Sequence, residues 1–144
     1  MKIPNILFSI ISMGAFLSCG HDDEGFMGEE TMLFELQFIN AGMSGKIIKK
    51  EDLEFNEFVE FSLDSTFIKR RVFVDSTSIA TGSYTLIESD GIDYFELNYE
   101  KGSYLIQSCG NSLKEWMSVL NDREIFNGGY LPCDGPGYGY ELVK

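Results

Sequence analysis

Histidine is nearly absent from this sequence. The single histidine, His21, lies close to the N-terminus, so nucleophilic catalysis by serine or cysteine has no imidazole base in the rest of the chain. Neither a P-loop nor a Gly-rich dinucleotide fingerprint is present. Two carboxylates suffice for some glycosidases, but nothing marks a particular pair among the 23 acidic residues. We therefore predict that the protein is not an enzyme and carries no cofactor or metal.

Positive charge is also scarce. Eleven Lys and Arg residues face 23 Asp and Glu residues, which gives a formal net charge of −12. Nucleic-acid binding needs a basic surface, so this partner class is excluded, and docking on anionic lipid by charge is disfavoured. Hydrophobic residues make up 44% of the chain and aromatic residues 14%, which excludes a disordered protein. The length fits one ordinary domain.

A hydrophobic run long enough to span a bilayer is missing as well. The apolar stretch at residues 6–17 falls short of the roughly 18–20 residues that a transmembrane helix needs. It follows the positive Lys2 and has the length of the apolar region of a signal peptide. This stretch is either an ordinary signal peptide followed by an incidental cysteine or the signal peptide of a lipoprotein.

The end of this stretch resembles a bacterial lipobox, because Ser18 stands directly before Cys19 after an apolar run. The resemblance implies that residues 1–18 are a removed signal peptide and that Cys19 carries the lipid (palmitate and related acyl chains) that anchors the protein in the membrane. The acidic residues 22–24 resemble the surface-export signal of Bacteroidota lipoproteins, although a solvated acidic tether would look the same. We expect residues 19–31 to form a flexible tether and the protein to lie at the outer membrane, facing the cell surface.

From residue 32 onward, apolar and polar residues mostly alternate, as in half-buried strands. Eight or nine short strands suggest an antiparallel barrel or sandwich, and a closed barrel is favoured because closure removes exposed strand edges. Residues 46–56 fit a helical turn or an irregular crossover. Residues 112–120 fit a helix with a capping box or a strand before a hairpin turn, and we favour the strand. The predicted strands are residues 33–39, 57–63, 66–74, 78–88, 92–99, 103–108, 113–120, 123–127 and 138–143.

Four stretches, at residues 59–67, 81–86, 94–99 and 133–140, resemble small lipocalin-like lipoproteins of Bacteroidota. These stretches read VEFSLDSTF, TGSYTL, YFELNY and CDGPGYGY. The resemblance implies an all-β, up-and-down antiparallel barrel of about eight strands over residues 32–144.

Three cysteines are an odd number for an exported protein. If Cys19 carries lipid, Cys109 and Cys133 remain, and we favour a disulfide between them. Two free thiols or a metal pair are the alternatives, although the predicted domain contains no histidine that could complete a metal site.

The candidate ligand-binding residues are aromatic side chains expected to face inward, together with one arginine of the basic stretch 69–71. These aromatic residues would either line a pocket or simply fill the barrel. Strand alternation places Lys69 and Arg71 on one face and Arg70 on the other. Either Arg70 or the pair Lys69 and Arg71 would enter a polar interior. The alternative is that the whole stretch is an exposed cationic strand. The candidate set is Phe61, Arg70, Tyr84, Phe95, Tyr99 and Trp116.

Two further serines are candidate modification sites. Ser65 and Ser76 each follow an aspartate and precede a threonine, a pattern that resembles Bacteroidota O-glycosylation sites. The alternative is that both tripeptides are simply turns.

Two functions from different classes follow. In the first, the anchored barrel binds a small apolar or amphipathic ligand in its mouth. In the second, the barrel is filled and the protein is a non-catalytic structural or interaction lipoprotein of the cell envelope, with an envelope protein as partner.

Overall fold

The computed structural model describes residues 30–144, and the predicted signal peptide, Cys19 and most of the tether lie outside these residues. The strands are β1 (Met32–Asn40), β2 (Ile47–Lys49), β3 (Asn56–Phe61), β4 (Thr66–Val72), β5 (Thr77–Ser89), β6 (Ile92–Lys101), β7 (Lys114–Val119), β8 (Glu124–Asn127) and β9 (Gly137–Leu142). Short 3-10 turns lie at Gly42–Ser44, Lys50–Asp52, Ser103–Leu105 and Leu131–Cys133. No helix among residues 30–144 has the length and apolar character needed to span a lipid bilayer.

Eight of these strands close into an antiparallel barrel. From β3 to β9 each strand pairs with the next along the chain, and β1 pairs with β3 on one side and with β9 on the other. Phe34 shows the closure, because it lies opposite Val59 of β3 and opposite Leu142 of β9. Strand β2 is an addition that pairs with the far end of β1 alone. The predicted all-β, eight-stranded up-and-down barrel is therefore confirmed.

Turn chemistry fixes the hairpins. The β5–β6 hairpin turns at Asp90 and Gly91, which both have positive φ (55° and 76°), between the paired residues Ser89 and Ile92. A two-residue turn with positive φ at both positions matches the right-handed twist of the strands it joins. This turn sets the register of the longest strand pair in the barrel.

Two regions differ from the sequence prediction. Residues 103–108 are not a strand, and that prediction is wrong: Gly102 adopts a left-handed conformation (φ 71°) and ends β6, and a 3-10 turn follows. The chain then folds across one end of the barrel as a loop at residues 102–113. Residues 46–56 contain a 3-10 turn, as one of the two alternatives expected, but they also contain the short strand β2, which was not expected. The stretch at residues 112–120 contains the strand β7, so the favoured strand is confirmed.

The predicted disulfide is confirmed. Cys109 and Cys133 are bonded, with their Cα atoms 6.2 Å apart. The bond joins the loop at residues 102–113 to the β8–β9 loop at residues 128–136. Both loops lie at the same end of the barrel, so the bond ties them together across that end.

Candidate functional site

The interior of the barrel has an apolar layer toward one end and a charged layer toward the other. On β3 the inward side chains are Phe61 and Val59 at one end and Glu57 at the other, and on β4 Phe67 is followed by Lys69. Strand alternation places all of these on the inner face. The apolar layer comprises Phe34, Leu36, Val59, Phe61, Phe67, Phe95, Leu97, Met117 and Ile125. The charged layer comprises Glu57, Lys69, Arg71, Gln107, Glu115 and Asn127, with Tyr99 and Tyr140.

Lys69 is the centre of the charged layer, and its side chain has no exposed surface. Its Nζ donates hydrogen bonds to Glu115 Oε1 at 2.8 Å, to Gln107 Oε1 at 2.8 Å and to the Leu105 carbonyl at 3.3 Å. Glu57 Oε1 lies 3.6 Å from the same nitrogen. An ammonium group has three protons to donate, so each has an acceptor and the buried charge is compensated.

The carboxylate of Glu57 accepts hydrogen bonds from three side chains. Arg71 Nε and Tyr140 Oη each lie 2.6 Å from its carboxylate, and Gln107 Nε2 lies at 3.2 Å. Burial raises the pKa of Glu57, but the nearby charges of Lys69 and Arg71 and the hydrogen bonds from Tyr140 and Arg71 outweigh it. The net effect is a pKa below the ordinary value, so Glu57 is an anion at neutral pH.

Glu115 is the second carboxylate of the layer. It accepts hydrogen bonds from Tyr99 Oη at 2.6 Å, Asn127 Nδ2 at 2.7 Å and the backbone N–H of Gln107 at 3.0 Å. Burial raises the pKa of the Tyr99 phenol far above its ordinary value, and the charge of Glu115 adds to that shift. Tyr99 therefore stays neutral and donates a hydrogen bond to Glu115.

The charged layer contains two cations and two carboxylates. Arg71 stacks over the Phe55 ring, with Cζ 4.4 Å from the ring centroid. Its Nη2 atom is buried and has no hydrogen-bond partner among residues 30–144. A balanced and almost fully hydrogen-bonded network of this kind holds its members in one arrangement, because a lost partner leaves a buried charge unpaired.

Gln107 closes this end of the barrel from the loop at residues 102–113. Its side chain accepts from Lys69 and Tyr140 and donates to Glu57, and its backbone N–H binds Glu115. The loop thus supplies one residue that bonds to both buried carboxylates, to Glu57 through its side chain and to Glu115 through its backbone N–H. The disulfide holds this loop over the opening. The hydrogen-bonding groups of the charged layer therefore bind the barrel's own loop.

The four inward aromatic candidates fill the barrel. Phe61 stacks on Phe95 with ring centroids 4.2 Å apart, and its edge meets Tyr84 at 4.9 Å. Tyr99 packs edge-on against Phe67 at 5.0 Å. Of the two alternatives, these rings pack against each other rather than line an empty pocket.

Two candidate ligand-binding residues, Arg70 and Trp116, lie on the outer wall. The expectation that Trp116 faces inward is wrong, and of the two arrangements left open for the basic stretch, Lys69 and Arg71 rather than Arg70 enter the interior. Arg70 lies between the inward residues Lys69 and Arg71, so its side chain is on the outer face, where it pairs with Glu60 at 3.2 Å. Trp116 is 44% exposed on the outer wall. The reason is strand alternation: in both cases the two chain neighbours occupy the interior.

The two candidate glycosylation serines lie in exposed turns. Ser65 has positive φ (64°) in the β3–β4 turn, and Ser76 lies in the β4–β5 turn. Exposure is compatible with a modification at either serine, which stays a prediction.

Sequence reasoning missed Tyr140 and four further members of the charged layer, namely Glu57, Gln107, Glu115 and Asn127. A signal was present for three of these four: each lies two residues from an inward apolar side chain on its own strand. Period-two alternation therefore assigns them to the interior once the barrel is known. Gln107 had no such signal, because it lies in a loop that the sequence suggested was a strand.

One groove stands out on the outer wall of β6, β7 and β8. Trp116 leans on Tyr94, with ring centroids 5.8 Å apart, and its indole N–H donates to Glu96 at 2.9 Å. The groove is lined by Ile92, Tyr94, Trp116, Ser118, Leu120, Phe126, Gly128 and Gly129.

The topology defines the class of this protein as an eight-stranded antiparallel barrel, consistent with a lipocalin-like barrel. No family model, curated protein or solved structure matches the chain.

Proposed function

We propose that this chain is a lipid-anchored envelope lipoprotein whose filled barrel acts through its outer surface, as a non-catalytic interaction module. One observation carries the proposal: the protein's own side chains occupy the barrel interior. Lys69 is fully buried between Glu115 and Gln107, and Phe61 and Phe95 stack on each other in the apolar layer. A ligand inside the barrel would have to displace packed rings or unpair a buried charge, and both are costly.

The lipid anchor is a separate part of the proposal. It rests on the resemblance of Ser18-Cys19 to a lipobox and on the acidic stretch that follows. Strand β1 begins at Met32, so a lipidated Cys19 would be joined to the barrel by a short tether. Acyl chains on one cysteine hold a protein at a membrane by burial of their methylene groups. The proposed location is the outer membrane, facing the cell surface.

Metabolic labelling tests the anchor. The full chain would be expressed in a Bacteroidota host fed an alkyne analogue of palmitate, and the label followed on the purified protein. We expect the wild type to be labelled and to sediment with membranes, and Cys19→Ser to lose both properties. The double variant Cys109→Ser/Cys133→Ser is the control and keeps the label. Equal labelling of Cys19→Ser and the wild type would contradict the anchor.

Ligand binding inside the barrel is the second candidate function. The specific observation in its favour is that Gln107, a loop residue, fills the position between Lys69 and Glu57. Movement of this loop would expose a charged interior at the mouth. Native mass spectrometry of the full chain purified from its host separates the two functions. We expect a mass with no non-covalent adduct, and a copurified small molecule that heating releases would favour the ligand-binding barrel.

A further inference from the structure

Outward side chains of β6, β7 and β8 lie in register across the outer wall, and Tyr94 and Phe126 among them are half-buried. Tyr94 of β6 lies opposite Ser118 of β7, which lies opposite Phe126 of β8. Ile92 and Leu120 extend the groove toward the barrel end where β1 begins, and they are 44% and 59% exposed. Large apolar side chains gathered in one depression are more informative than the same residues scattered singly.

The apolar surface continues past β8. Phe126 lies opposite Gly139 of β9, and Gly139 lies opposite Phe38 of β1. The Phe38 and Phe126 rings stack at 6.4 Å, and a Cβ at Gly137 or Gly139 would collide with them. The two glycines therefore let both rings lie flat on the strand. A second depression adjoins the first here, and Leu120 lines both.

Three acidic residues lie near the end of this apolar groove where Ile92 and Leu120 stand. Asp90 lies in the β5–β6 turn next to Ile92, Asp122 lies in the β7–β8 turn next to Leu120, and Glu124 lines the second depression. Within residues 30–144, no cation forms an ion pair with any of these three. Arg123, which lies between Asp122 and Glu124 in the chain, pairs with Glu141 instead. The groove therefore presents apolar surface with three acidic side chains at its edge that take part in none of these ion pairs.

The charge decides which partner fits. A second copy of this chain would bring a formal net charge of −12 against the same charge, and an anionic lipid surface would be repelled in the same way. A partner with apolar side chains and flanking lysines or arginines would gain from both features.

We propose that the groove bounded by Ile92, Trp116, Leu120 and Phe126 docks a cationic amphipathic segment of a partner protein. The apolar side chains of that segment enter the groove, and its lysines or arginines meet Asp90, Asp122 and Glu124. This inference rests on the proposed function of a barrel that acts through its outer surface, and it names the chemistry of the partner.

Trp116 is the one tryptophan of the chain, so its fluorescence reports on the groove directly. The probe is a short synthetic peptide with a Leu-Phe-Leu centre and two lysines at each end. We expect a saturable change in the emission of the full-length protein at low salt, weakened by added salt. A peptide with glutamates in place of the lysines should leave the emission unchanged.

The acidic rim has a matched control at the opposite end of the barrel. We expect Asp90→Asn/Asp122→Asn/Glu124→Gln to weaken peptide binding by about fivefold, as the loss of three exposed charge pairs predicts. Glu51→Gln/Asp52→Asn/Glu54→Gln changes the net charge equally at exposed positions and should bind the peptide within about twofold of wild type. Equal weakening in both variants would overturn the site, because it would show general attraction to an acidic protein.

The apolar centre is tested in the same way. Ile92→Ser/Leu120→Ser should weaken binding by about tenfold, and Tyr104→Ser/Leu113→Ser, exposed elsewhere, should not. Unchanged Trp116 emission on addition of the lysine peptide would overturn the inference. If the lysine peptide fails to bind while native mass spectrometry still shows a barrel without ligand, the result excludes this partner and leaves the proposed function in place.

Discussion

The two layers of the barrel interior solve the same packing problem by different means. In the apolar layer, rings such as Phe61 and Phe95 fill the space by contact, and a slightly different shape of side chain would still fit. In the charged layer, Lys69 and Glu57 are held by specific hydrogen-bond partners, for example Glu115 for Lys69 and Arg71 for Glu57. The apolar layer supplies stability by burial, whereas the charged layer allows one arrangement and incorporates a loop from outside the strands.

The largest expected effect comes from the centre of the charged layer. Lys69→Met leaves Glu115 and Glu57 without their shared cation, and we expect a loss of about 3–5 kcal/mol in the free energy of unfolding. Urea unfolding followed by Trp116 fluorescence measures it.

Lys101→Met, at an exposed position, is the matched control and should change stability by less than about 0.5 kcal/mol. Adding Glu115→Gln to Lys69→Met should recover part of the loss, because it removes one of the unpaired charges. A cost for Lys69→Met equal to that of Lys101→Met would show that Lys69 is not buried.

The apolar layer gives the next effect. Leu97→Ala removes a fully buried side chain, and we expect a cost of about 3 kcal/mol that is the same at low and high salt. Urea unfolding at the two salt concentrations measures both points. A cost that depends strongly on salt would mean that the two layers are not physically distinct.

The disulfide sharpens the comparison because it holds the loop that carries Gln107. We expect Cys109→Ser/Cys133→Ser to lower the free energy of unfolding by about 2–3 kcal/mol. Hydrogen exchange should also show a local effect: the Gln107 amide, bonded to Glu115, should exchange faster, while the Val59 amide should follow global unfolding alone. Equal acceleration at both amides would contradict a loop held separately over the charged layer.

The smallest effect is the dependence on acid. Because the pKa of Glu57 is lowered in the folded protein, its contribution to stability is present above the ordinary glutamate range and is lost as the pH falls below about 4. Urea midpoints measured from pH 7 to pH 3 should therefore fall more steeply for wild type than for Glu57→Gln. Parallel curves would exclude Glu57 as an anion stabilised by folding.

The sequence predicts the fold class well because period-two alternation is a local signal. Phe34, Val59 and Phe95 each mark the buried face of a strand, and the turn at Asp90-Gly91 marks a hairpin. The same alternation groups Lys69 with Arg71 but leaves open which side of the strand faces inward. Trp116 faces outward, although a large aromatic residue suggests burial, because its strand neighbours Glu115 and Met117 take the interior.

The charged layer is harder to predict because its partners are distant in sequence. Glu57 and Tyr140 are 83 positions apart, and Lys69 and Glu115 are 46 apart. Gln107 reaches them from a loop, a position that no periodic pattern marks. Each glutamate considered alone looks like an exposed strand residue, and only barrel closure shows that the cations lie beside it.

Amine labelling of the native protein tests the filled interior most directly. The folded full-length chain would be treated briefly with an acetylating reagent, digested and analysed lysine by lysine by mass spectrometry. A filled barrel predicts that Lys69 stays unmodified while the exposed Lys46, Lys49 and Lys101 react, and that Lys69 reacts once the protein is unfolded in urea. Modification of Lys69 in the folded protein at the rate of the exposed lysines would contradict the filled interior and return the barrel to a ligand-binding role.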